Sequence, residues 1–235
     1  MNLMLSVIAV LPWMDWAALL VFVTGWSGYI VFARKRSKTH PSILASTNRI
    51  RRLWMLQATH REARVLDGVV IQNLATSPSF FASTTILIIG GLLAVLGATD
   101  KATELVRDLP FAARTSTLVF DIKLVLMLVI YVYAFFRFTW SMRQYTFGAL
   151  LVASAPEAKQ FTEQNLSREA FADKAGRIVG LAAETFNDGL RSYYFAFAAI
   201  GWFLSPLAFV IATAGVITIL YLREFESDVL DVLNS

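Results

Sequence analysis

The sequence contains no cysteine and only two histidines, His40 and His60. The first absence excludes disulfides, thiolate metal sites and a cysteine nucleophile. The second leaves too few imidazoles for a zinc site, so the string HRE at 60–62 reads as part of a basic amphipathic helix rather than as a metal fragment. Charge is scarce as well: 16% of residues are charged, against roughly a quarter in a soluble domain. No phosphate-binding loop, dinucleotide fingerprint, HExxH or G-x-S-x-G string occurs, and there is no internal repeat or low-complexity stretch. The expectation is a non-enzymatic chain with no cofactor and no metal.

What is present is apolar. Hydrophobic residues make up 57% of the chain and the mean hydropathy is +0.58. They are concentrated in four runs, roughly 13–33, 80–98, 117–136 and 193–222. Each has about the 20 residues that cross a ~30 Å hydrocarbon core as a helix. The expected fold class is therefore all-α: a polytopic membrane helix bundle of about four transmembrane helices, forming a single domain over 1–235. Residues 1–11 carry no positive charge and no A-x-A pattern, so a cleaved signal peptide is not expected. Pro12 separates them from the first span as an interfacial lead-in or an extension of that span.

Lysine and arginine set the expected orientation. Nine lie in 34–79 and seven in 137–192, against three in 99–116 and one after Leu222. The positive-inside rule puts the first two segments in the cytoplasm and both termini in the periplasm of a bacterial inner membrane. The net charge of +4 then reads as attraction to anionic lipids of the bilayer, not to nucleic acid. The cytoplasmic segments, 42–76 and 137–192, have helical periodicity: Ile50, Leu53 and Trp54, then Leu66, Val69, Val70 and Leu74, with a break at Ser77-Pro78. Phe171, Ala175, Ile178, Ala182 and Phe186 trace one face of a helix capped by Ser167 that runs toward the fourth span. The third span is expected to continue past Arg137 to about Ala153.

Candidate functional residues fall into three groups. Asp121 and Lys123 lie inside the third span, where a charge at the centre costs about 2.5–3.5 kcal/mol on the insertion scale. They mark an ion or proton path, or else Lys123 snorkels outward and Asp121 pairs with Arg114 or another helix. A polar belt at the cytoplasmic edge gathers Arg64, Asp67 and Asn73 before the second span, Arg137 and Arg143 after the third, and Glu184, Asp188 and Arg191 before the fourth. It is a candidate site for an anionic solute or headgroup, or a set of salt bridges fixing helix ends; Arg143 has no nearby acid in sequence and is the expected unmatched cation. Small residues, Gly90, Ala94 and Ala98 in the second span, suit close helix packing and a homo-oligomer. Pro206, mid-way through the fourth span, predicts a kink at the carbonyl of Trp202.

The strings FFASTTILIIGGLLAVLG (80–97), WSMRQYTFGALLVASAP (140–156) and LRSYYFAFAAIGWFLSPLAFVIATAGVITILYLREF (190–225) resemble an uncharacterised membrane family of bacteria and plants, domain of unknown function 599. MDWAALLVFVTGWSGY (14–29) resembles the usual start of that family. The resemblance implies a multi-span inner-membrane protein and carries over no catalytic or binding residue. Two readings of function stand beside each other: an oligomeric channel or transporter for a small ion or solute, and a non-transporting scaffold that docks a partner through its cytoplasmic helices. A third, an enzyme acting on lipid headgroups, lacks a convergent acid–base or metal set. Transport calls for polar residues on bundle-facing sides of the spans, and scaffolding for an exposed apolar patch on the cytoplasmic helices.

Overall fold

The computed structural model describes residues 11–99, 101 and 116–235. Most of the lead-in before Trp13, together with Arg107 and Arg114, lies outside the described residues. The elements in chain order are helices: α1 (Trp13–Arg36), α2 (Ile43–Ala58), α3 (Val65–Gly97), α4 (Thr117–Ala153), α5 (Ala158–Glu163), α6 (Arg168–Leu204), α7 (Pro206–Phe225) and α8 (Asp228–Asn234). No strand occurs among the described residues. Helices α1, α3, α4 and the segment beginning at Pro206 are long and apolar enough to cross a membrane. Helix α4 has 37 residues, about 55 Å at 1.5 Å per residue, so it is longer than a hydrocarbon core is thick. It does run on to Ala153 as the sequence predicts.

Local chemistry sets the helix ends. Ser42 Oγ accepts from Ala45 N at 3.1 Å and starts α2; Ser167 Oγ accepts from Ala170 N at 3.1 Å and starts α6, as N-cap residues do. The periodic stretch 47–75 is two helices. It is interrupted after Ala58, whose carbonyl is closed by Arg64 Nε at 3.1 Å. The break expected at Ser77-Pro78 is absent: Pro78 lies inside α3. A proline in a helix forfeits one hydrogen bond and crowds one carbonyl, and α3 nonetheless runs through Pro78 as one helix.

The chain divides into two compact units. The first comprises residues up to Arg36, Thr85–Tyr133 and Arg191–Leu222; the second comprises Ser37–Thr84, Ala134–Leu190 and Arg223–Ser235.

In the first unit the ring of Phe22 on α1 lies 5.7 Å from Phe195 and 4.8 Å from Phe209. One straight helix would separate residues 195 and 209 by about 21 Å along its axis. The predicted fourth span, 193–222, is therefore corrected: it is two helices that reverse direction at Ser205. Pro206 starts the second helix instead of kinking the first. Trp202 stacks on Phe209 at 5.2 Å, and a Cβ on Gly201 would sit 3.1 Å from the carbonyl oxygen of Ala208. Gly201 is thus the small residue that lets the two backbones meet at the turn. Along α1, Asp15 meets Trp202 and Trp26 meets Phe195, so α6 runs antiparallel to it. Gly25 meets Ile217 and Phe32 meets Tyr221, so α7 runs parallel to it. Within this unit Trp13 and Leu222 therefore lie at opposite ends.

In the second unit α2 packs on α6, with Met55, Ile71, Tyr145, Val152, Ala175 and Val179 in the core. A Cβ on Gly176 would lie 2.9 Å from Arg52 Cα, and one on Gly180 would lie 2.8 Å from Asn48 Oδ1. This i, i+4 glycine pair is the close helix crossing of the second unit. By contrast, Gly90, Gly91 and Gly97 have nothing within 4 Å of an added Cβ, so the stripe in α3 makes no close contact among the described residues. Helix α8 packs on α2 through buried Leu230.

Candidate functional site

At the reversal, Pro206 has no N–H to give the carbonyl of Trp202, four residues back. Lys123 Nζ on α4 supplies the missing donor at 2.8 Å. The lysine is 2% exposed, so it does not snorkel; its ammonium lies 5.6 Å from the Trp202 ring and 5.9 Å from the Phe203 ring, within cation–π reach. Trp202 Nε1 in turn donates to Asp15 Oδ1 at 2.6 Å. Asp15 is buried in the first turn of α1 and interacts electrostatically with Lys123. One helix end, one cation and one carboxylate are thus joined through a single tryptophan. A cation at a helix C-terminus and an acid at a helix N-terminus both oppose the local backbone dipole. Ser205 Oγ caps the returning helix by accepting from Ala208 N at 3.0 Å. The sequence reading passed over Asp15 and took the Trp202 carbonyl only as the site of a kink; the signal available was the Ser205-Pro206 pair, an N-cap followed by the proline-tolerant first position. Asp121 is not part of this cluster. Its Oδ1 is buried with no hydrogen-bond partner, and the suggested partner Arg114 lies outside the described residues.

The predicted belt resolves into separate pairs. Asp67, fully buried, accepts from Trp54 Nε1 at 2.7 Å and pairs with Arg61; its Oδ2 has no partner. Arg137 pairs with Asp188. Glu184 accepts from Asn48 Nδ2 at 3.0 Å. Arg64 donates to the carbonyls of Ala58, Ala155 and Pro156. Asn73 is exposed. Arg191, in the first unit, lies 5.8 Å from the ring of Tyr29. Arg51, which the sequence reading did not single out, donates to Thr47 Oγ1 and to Asn48 Oδ1 at 2.8 Å. Burial pushes its guanidinium below the ordinary arginine value, while Tyr145 and Glu184 pull it back up.

Arg143 differs from the rest. It is exposed, lies 5.9 Å from the ring of Phe147 one turn further along α4, and forms no ion pair among the described residues. Beyond it, α4 and α6 pack antiparallel: Ser141 Oγ donates to Ala182 O at 2.7 Å, and Gly148 abuts Val179. Their outer edges leave a groove of about 880 Å³, floored by Phe147, Leu150, Leu151, Ile178 and Leu181 and edged by Lys174 and Arg177. Those two cations are exposed and likewise form no ion pair among the described residues. Asp173, at the same edge, is engaged by Arg52. An apolar floor with unmatched cations around it accommodates an acidic amphipathic surface.

An all-helical chain with four membrane-length apolar helices defines a polytopic helical membrane protein. Residues 17–229 match the family described as protein of unknown function, DUF599, and the chain belongs to that family. No curated protein and no solved structure matches it.

Proposed function

We propose that the protein is a non-catalytic, membrane-anchored docking protein. Its apolar helices are the anchor, and the segment 137–192, on the cytoplasmic side by the positive-inside rule, receives a partner in the groove between α4 and α6. The observation that carries this reading is the groove itself: exposed Phe147, Leu150 and Leu181 beside Lys174 and Arg177, which form no ion pair among the described residues. The polar groups at the reversal, in contrast, are occupied with one another. The test is a photoreactive residue in place of Leu150, activated in native membranes. The expected result is a protein adduct that is lost when Lys174→Glu and Arg177→Glu are introduced together. Adducts with lipid alone, or none, would sink the reading.

A second reading, passage of a small ion, rests on Asp121, whose buried Oδ1 has no partner. A partnerless carboxylate oxygen within a span is costly and is the kind of group an ion or proton would satisfy. Under this reading Asp121→Asn lowers proton or potassium flux into vesicles reconstituted with the chain. Flux equal to that of protein-free vesicles in both forms eliminates it.

A further inference from the structure

We infer that the occupant of the α4/α6 groove is helix α8 of a second copy of this chain, an inference that rests on the docking reading above. Helix α8 and the residues before it are acidic. Glu226, Asp228 and Asp231 are exposed and form no ion pair among the described residues, and the segment from Glu226 onward has no cation. The groove offers the complementary set in Lys174 and Arg177 at its edge, with Arg143 over the ring of Phe147 at its floor.

Helix α8 also has two faces, and its own copy uses one. Leu230 is buried against α2, Ser46 Oγ donates to Asn234 Oδ1 at 2.9 Å, and Arg49 Nη2 donates to the carbonyl of Leu233 at 3.0 Å. Val229 and Val232, one turn apart, are left 59% and 74% exposed, with Asp228 beside Val232 on the same side. The helix keeps its seat on α2 while presenting a valine ridge edged by carboxylates. Its seven residues span about 10 Å, and the wall from Phe147 to Ser154 spans about 12 Å, so the lengths match. This is helix-in-groove recognition with a short helix. The contact is small, and interfaces of this size are weak in free solution. Two features compensate. Both copies are held in one membrane, which raises their effective concentration. Reciprocal exchange also forms two identical contacts in a closed twofold pair.

The chain has no cysteine, so the test has a clean background. Two differently tagged full-length copies are co-expressed, one with Val232→Cys and the other with Ser154→Cys, and the membranes are oxidised. The expected result is a disulfide-linked pair carrying both tags. Its yield should fall at least five-fold when the groove copy also carries Lys174→Glu and Arg177→Glu. It should recover when the α8 copy carries Asp228→Lys and Asp231→Lys. Recovery excludes misfolding of the groove variant as the cause of the loss. Absence of the mixed pair, a pair indifferent to charge reversal, or a bond formed only within one chain bearing both cysteines overturns the inference. If the mixed pair is absent while the Leu150 adduct with another protein persists, self-docking is wrong and docking stands. If both fail, both readings go.

Discussion

Lys123 Nζ donates to the carbonyl oxygen of Trp202, the one backbone acceptor that Pro206 leaves without its helical donor. A reversal between two apolar helices needs its backbone ends satisfied, and here a side chain from a third helix does this in place of a polar loop. An unsatisfied buried carbonyl costs about 1–3 kcal/mol. Lys123→Met is therefore expected to lower the thermal midpoint in detergent by a corresponding amount. Because Asp15 is tied to the same tryptophan, Lys123→Met combined with Asp15→Asn should lose less than the sum of the single changes. Strict additivity would mean that the two charges act independently.

The reversal has a topological consequence that labelling can read. Lys38→Cys and Ser235→Cys should both be protected from an impermeant thiol reagent in intact cells, and Met14→Cys should be labelled. The charge bias alone, with four spans, predicts that Ser235→Cys behaves like Met14→Cys. Labelling of position 235 together with position 14 would restore four crossings and remove the reversal.

The difference between these outcomes shows what was legible in the sequence. The helical class, the apolar runs and the Ser167 cap follow from periodicity and composition, which are local properties. The reversal was not legible as such, because hydropathy registers Tyr193–Leu222 as one unbroken apolar run. The polar groups that make the turn possible, Lys123 and Asp15, come from elsewhere in the chain. The belt was legible as a set of polar residues at similar distances from the spans, but its pairing was not. Asp67 chose Trp54 and Arg61, and Asp188 chose Arg137, through helix packing that spacing does not encode. Arg143 was legible as unmatched, since an arginine far from any acid in sequence had only a distant partner available. Among the described residues of one copy the small-residue stripe of α3 makes no close contact. Glycine spacing marks where a backbone can be approached, and only the fold decides which stripe is used.

Gly176 and Gly180 test that last point. Gly180→Leu would drive a side chain into Asn48, and Gly176→Leu would drive one into the α2 backbone. Each should cost about 1–3 kcal/mol or more through overpacking. Gly90→Leu, with open space around it, should leave the thermal midpoint of the isolated chain unchanged. If Gly90→Leu instead alters particle size by light scattering with no change in stability, the α3 stripe packs against another copy. Equal destabilisation by all three would contradict the packing described here.

Arg137 and Arg143 lie less than two turns apart on α4 and should respond in opposite ways. Arg137 is paired with Asp188, whose side chain is only 3% exposed, while its own is 26% exposed. Removing the cation leaves a buried carboxylate short of a partner. Breaking a fully buried pair costs about 3–5 kcal/mol; the partial exposure of Arg137 admits solvent and lowers the expected loss to about 1–3 kcal/mol. Arg143 faces outward over Phe147 with no acid beside it, so Arg143→Met should change the thermal midpoint by less than a degree or two at the surface-substitution scale of about 0.5 kcal/mol. It should instead weaken the mixed-copy disulfide between Val232→Cys and Ser154→Cys, since it removes the cation that lies over Phe147 at the floor of the groove. Arg143→Lys keeps the charge and should retain most of that cross-link, because a helix carrying separate aspartates needs a positive field more than a planar fork. Melting curves of the three variants, read beside cross-link yield, separate the roles. A large loss of stability in Arg143→Met with normal cross-linking would make Arg143 a structural residue and remove it from the groove.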